Sequence, residues 1–118
     1  GMKYTHYAPK ASVVIVKGRL DDIARKIGEL ASEEAERGNR VGILATEETA
    51  DCYVKGQVIC LGSRKKPETL AVNLFSALRK FDELGVDIVF AEWVEEKDEG
   101  LAVMNRMLRA AGFRVIEV

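Results

Sequence analysis

Short aliphatic runs alternate with longer segments whose apolar residues recur every three or four positions. The alternation continues from residue 12 to residue 118. Ser12–Val16 is the first run, and its β-branched residues read as a buried strand. Leu20, Ile23, Ala24, Ile27, Leu30 and Ala31 then place one apolar stripe on a helix over 20–37. Asp21 and Asp22 suit its first turn and Gly38-Asn39 its end. Arg40–Ala45 is the second strand, and Thr46 is a candidate cap for a short helix over 47–53. Gln57–Leu61 is the third strand, and its apolar run makes Cys60 a small core residue. Pro67 opens a helix to about Leu84, with Leu70, Leu74, Phe75, Leu78 and Phe81 inward and Gly85 as its stop. Val86–Phe90 is the fourth strand. A helix introduced by Asp98 and Glu99 follows, with Leu101, Met104, Leu108 and Ala111 inward and Gly112 ending it. Arg114–Val118 is the fifth strand.

A strand that is apolar along its whole length leaves no face for water. Such strands separated by helices predict a parallel sheet covered on both sides. The fold class is therefore α/β: a three-layer α/β/α, Rossmann-like, doubly wound sheet of five parallel strands. Right-handed crossovers favour the order 3-2-1-4-5, with 2-1-3-4-5 as the alternative. Residues 1–11 show no periodicity and Pro9 holds Ala8 extended, so they read as an arm ahead of one domain over 12–118. Gly1-Met2 reads either as a tag scar before a native start or as a cut from a longer chain.

In such a sheet ligands bind beyond the carboxyl ends of the strands. Here those ends offer Lys17-Gly18, Thr46, Gly62-Ser63 and Glu92. Neither G-x-G-x-x-G nor G-x-x-x-x-G-K-[ST] is present. Arg64, Lys65 and Lys66 precede a helix start and form a candidate anion site. Glu92, Glu95, Glu96, Asp98 and Glu99 read as a solvated charge run at a helix start rather than a metal site. Met104 and Met107 read as core or interface, and Asn105-Arg106 between them as a candidate contact to another domain. With one histidine, His6, and no nucleophile–base pair, no catalytic residue and no metal site is expected. Two cysteines and no secretion signal fit a reducing cytoplasm. Eighteen basic against nineteen acidic residues argue against direct nucleic-acid binding, and no apolar run is long enough for a membrane helix. The arm concentrates Lys3, Tyr4, His6 and Tyr7, a composition suited to stacking or to capping a pocket.

Gly1-Met2-Lys3-Tyr4-Thr5-His6-Tyr7-Ala8-Pro9 resembles the interdomain linker S-P-G-M-K-Y-x-H-Y-x-P of the Sua5 family of L-threonylcarbamoyladenylate synthases. Ala77–Asp82, Gly85–Asp87 and Gly100–Arg106 resemble the signature of that family's C-terminal domain. The family commonly has G-L-G ahead of A-V-M-N-R, whereas Gly100-Leu101 directly precedes Ala102 here. The resemblance implies a catalytic YrdC-like domain, in cis or in trans, that is not in this sequence. That domain would use ATP with Mg, L-threonine and bicarbonate for tRNA t6A biosynthesis, and this chain would need no cofactor of its own. It also implies that Lys3, Tyr4, His6 and Tyr7 close over that domain's site. The alternatives are a free-standing small-molecule or nucleotide-binding module using the strand ends, and a homo-oligomer formed through the arm.

Overall fold

A computed structural model describes residues 9–95, 97 and 99–118. Its elements are β1 (Ser12–Lys17), α1 (Leu20–Glu36), β2 (Val41–Ala45), β3 (Gln57–Cys60), α2 (Pro67–Glu83), β4 (Ile88–Glu92), α3 (Glu99–Ala110) and β5 (Val115–Glu117). The five strands are all parallel. Their order is β3-β2-β4-β1-β5. The α/β class and the parallel sheet are as expected, but β1 and β4 have exchanged places relative to the expected order.

The bonds at the amino ends of the strands follow the observed order. The Asp87 carboxylate accepts the Arg40 N–H at 2.7 Å, and the Asp87 N–H donates to the Arg40 carbonyl at 2.8 Å. On its other side the Asp87 carbonyl accepts the Ser12 N–H at 3.1 Å. Asp87 therefore pins the start of β4 between β2 and β1. Both β1 and β4 are aliphatic, so their burial patterns do not distinguish the two arrangements.

Strand alternation divides the core into two layers. Val14, Val16, Val41, Ile43, Ala45 and Phe90 face α1, which contributes Ile23, Ile27 and Ala31. Val13, Ile15, Leu44, Val89 and Ala91 face α2 and α3, which bring Leu70, Leu74, Phe81, Val103, Met104 and Met107. The chain crosses the sheet one way through α1 and the other way through α2 and α3. These helices cover opposite faces, as crossovers of one hand require. Among the described residues no helix is long and apolar enough to cross a membrane.

Local departures from the sequence reading follow from the edges. Cys60 is exposed because β3 is an edge strand, and both cysteines are free thiols. Leu101 is 40 % exposed, because the inward stripe of α3 runs through Val103, Met104 and Met107 instead. Only Ala50–Cys52 of the expected short helix forms, as a 3₁₀ turn, and Thr46 gives it no side-chain cap. The fourth strand is shifted two residues later, which brings Glu92 into the sheet.

Gly42 in β2 lies under the ring of Phe81, and a Cβ there would sit 2.7 Å from the ring. Phe81 is almost wholly buried, so the ring has little room to yield. Gly42→Ala is expected to destabilise the fold by about 1–3 kcal/mol. Phe81→Leu in the same chain should recover part of that loss, because it removes the clashing edge. Denaturant melts of the two single variants and the double variant measure this.

Candidate functional site

At the carboxyl end of the sheet a charged side chain is buried. Glu92, last residue of β4, is 3 % exposed. It shares the phase of Ile88 and Phe90, so its side chain projects on the α1 side. Burying a carboxylate is costly unless donors replace its water. Four donors do so. The Thr46 hydroxyl donates at 3.0 Å, the Thr49 and Tyr53 hydroxyls donate to the other oxygen, and an Arg64 terminal nitrogen donates at 2.9 Å. Arg64 Nε also donates to Thr46 Oγ1 at 3.1 Å, and its remaining nitrogen to the Trp93 carbonyl at 2.9 Å. All three guanidinium nitrogens are thereby engaged.

The partners come from two connections. Thr46, Thr49 and Tyr53 lie between β2 and β3, and Arg64 lies between β3 and α2. The 63–66 turn is held a second time, by Glu48. Its carboxylate accepts the Ser63 hydroxyl at 2.9 Å and the Arg64 N–H at 3.1 Å. Burial pushes the Glu48 carboxyl up, but bonds from the Arg64 and Glu48 amides and from the Ser63 and Thr46 hydroxyls outweigh it and hold it below the usual carboxylate range. Burial, and then the bond to Glu92 and its charge, push the Tyr53 phenol far up. Beside the network Lys17 stacks on Trp93, 4.4 Å from the ring centroid. A shallow cleft of about 200 Å³ borders Arg64 and is lined also by Pro67, Val94, Glu95, Lys97 and Gly100.

Two observations bear on nucleotide binding at these strand ends. The β1–α1 turn is where a dinucleotide pyrophosphate sits in folds of this kind. Here a Cβ on Gly18 would lie 2.6 Å from the Val118 carbonyl oxygen, so the turn packs closely against the residue that follows β5. Among the described residues no three metal-ligating side chains converge.

The candidate anion site is not held together. Arg64 turns to Glu92, while Lys65 and Lys66 are exposed. Asn105 is exposed on α3, and Arg106 lies over the Phe75 ring of α2 at 5.7 Å. Of the acidic run, Glu92 leaves the solvated face altogether. Lys3, Tyr4, His6 and Tyr7 lie outside the described residues. Sequence reasoning missed Thr49 and Tyr53 as partners of Glu92. The available signal was a tyrosine with a polar handle close behind a strand end.

A family model for the C-terminal domain of threonylcarbamoyl-AMP synthase matches residues 1–112. The chain belongs to this family. It is 48 % identical over 118 residues to the threonylcarbamoyl-AMP synthase of Pyrococcus abyssi, covering 100 % of this chain and 33 % of that protein. It is 47 % identical over 116 residues to the Bacillus subtilis threonylcarbamoyl-AMP synthase, covering 98 % of this chain and 32 % of that protein. The chain thus spans about a third of the length of these relatives. The crystal structure of P. abyssi Sua5 complexed with L-threonine superimposes with a TM-score of 0.85 at 47 % identity, covering 100 % of this chain and 33 % of that chain. The C-terminal Sua5 domain from Pyrococcus horikoshii gives 0.75 at 42 %, covering 94 % of this chain and 100 % of that one. Within the family signature, Gly100 has a packing reason. A Cβ there would meet the Glu95 carbonyl oxygen at 1.9 Å.

Removing the Arg64 charge should leave Glu92 buried without a countercharge. Arg64→Met is expected to lower stability by about 3 kcal/mol. Glu92→Gln added to it should restore part of the loss, a coupling that denaturant melts of the cycle measure. The raised phenol of Tyr53 stabilises the fold fully below the ordinary tyrosine value of about 10, and that stability is lost as pH rises above it. Tyr53→Phe should therefore flatten the alkaline fall in stability, and it should remove no phenolate absorbance from the native protein up to about pH 11.

Proposed function

We propose that this domain is the non-catalytic C-terminal part of a threonylcarbamoyl-AMP synthase, where it anchors the linker 1–11 over the active site of a preceding YrdC-like domain. That domain would bind ATP with Mg, L-threonine and bicarbonate, form threonylcarbamoyl-AMP and release pyrophosphate for tRNA t6A formation. The observation that carries the reading is the way the strand ends are filled. Where a doubly wound sheet offers its ligand crevice, Glu92 and Arg64 neutralise each other and Val118 closes the Gly18 turn. The pairing of these strand-end groups with one another supports a part that is not itself catalytic.

The residues of the linker motif supply the chemistry of a lid. Lys3 offers a cation, Tyr4 and Tyr7 broad flat surfaces, and His6 an imidazole. Held across a nucleotide, such groups exclude water and keep a reactive mixed anhydride from hydrolysis. The domain's part is to hold one end of that segment in place.

The free-standing module is the rival reading, and binding separates the two. A domain of this kind from P. horikoshii is a structure in its own right, so the 118-residue chain can be assayed alone. It should release no pyrophosphate from ATP, threonine and bicarbonate, and equilibrium dialysis should show no retention of ATP, AMP or threonine. Turnover would overturn the proposal, and saturable retention would favour the rival. In a full-length relative, alanine at the positions of Tyr4 and Tyr7 should lower turnover without changing the melting of this domain. Unchanged kinetics would remove the lid role.

A further inference from the structure

β3 closes one side of the sheet, and among the described residues it pairs only with β2. The Leu61 N–H donates to the Ala45 carbonyl at 2.9 Å, so Leu61 faces β2. Alternation turns the backbone groups of Ile59 the same way and those of Val58 and Cys60 outward. Strand edges are usually guarded by charge, proline, a bulge or shortness. The other edge strand, β5, has three residues and ends on exposed Glu117. β3 reads Gln57-Val58-Ile59-Cys60, with no charge and no proline. Beside it lies a shallow cleft of about 320 Å³ lined by Ile59, Cys60, Asn73, Ser76, Ala77 and Lys80. Asn73 holds α2 to the strand end by donating to the Leu61 carbonyl at 2.7 Å, and Lys80 is answered by Glu83 of its own helix at 3.9 Å. Val54, ahead of β3, and Val72, next to Asn73, are 90 % and 79 % exposed. An uncharged edge thus stands beside an open cleft, with apolar side chains exposed on the segment before the strand and on the helix beside it.

We propose that a second copy of this chain pairs with β3 antiparallel, about a two-fold axis at Ile59. Only a register that sets outward residues opposite one another can form the ladder. With the axis at Ile59, Val58 exchanges both backbone bonds with Cys60 of the second copy, and Cys60 does the same with Val58 of that copy. The N–H and carbonyl of both outward residues are thereby satisfied. Ile59 packs on the layer under α2 and α3, so the two Ile59 side chains meet on the side of the cleft, in the closer, non-hydrogen-bonded kind of pair. The facing pairs are Gln57–Leu61, Val58–Cys60 and Ile59–Ile59, and none opposes like charges. The edge therefore fits itself, as an isologous contact requires. The pairing uses neither the arm nor the carboxyl end of β4, so it goes beyond the anchoring reading and does not rest on it.

Sedimentation equilibrium of the 118-residue chain should show a reversible monomer–dimer equilibrium between micromolar and millimolar concentration. Val58→Pro removes an outward N–H and leaves the bonds to β2, a place where an edge strand tolerates proline. Ser76→Arg fills the cleft from the helix surface. Each variant should weaken association by about tenfold or more, with melts reporting that the monomer keeps its fold. If Val58→Pro melts early, Ser76→Arg decides. In a Cys52→Ser background the two Cys60 Cα atoms of the pair lie about 8–9 Å apart, two residues along and one strand across. A short bismaleimide should join their thiols, and Ser76→Arg should abolish the product. A chain that stays monomeric at every concentration would overturn the proposal. So would a dimer that survives both variants, because its contact lies elsewhere, and so would a dimer whose Cys60 thiols are not joined, because its register differs.

Discussion

The carboxyl end of the sheet is organised around one buried charge. Glu92 has exchanged water for three hydroxyls and a guanidinium, and removing any one donor leaves a carboxylate with fewer partners in a poorly solvated place. Because those donors come from two separate connections, the charge ties both loops to the end of β4. Arg64 extends the effect to the start of α2, and Glu48 holds the same turn from its outer side. The result is a strand-end region whose polar groups answer one another. A doubly wound sheet usually keeps that region open for a ligand.

The opposite end of the sheet is where the described chain enters β1. Asp87 bridges the starts of the three central strands there, and Lys10 joins Asp82. The domain thus has one end where polar side chains pair with one another and another where Lys10 is bonded to α2. That polarity supports the proposed anchoring role. It also suits the family to which the chain belongs, whose matched relatives are about three times longer.

Much of the fold was legible because aliphatic runs and helical spacing are direct records of burial. The strand order was not, because β1 and β4 are both largely apolar runs and neither pattern shows which of them pairs with β2. Glu92 was read as surface charge because it follows Ala91 and precedes an acidic run. Its burial depends on a strand that runs two residues further than expected and on Thr46, Thr49 and Tyr53 meeting it in space. Cys60 was misplaced for the converse reason: an apolar run cannot say which strand lies at an edge. The arm was visible in the sequence as an odd cluster of aromatics, and only its resemblance to a linker motif gave it a meaning.

If this domain holds a linker over a catalytic neighbour, its removal should harm a reaction it does not itself perform. The direct measurement is the rate of threonylcarbamoyl-AMP formation by a full-length relative and by the same protein cut before the linker. A roughly tenfold to hundredfold loss is expected for the shortened protein, the scale of a misplaced active-site element. Equal rates from the two proteins would contradict the anchoring role.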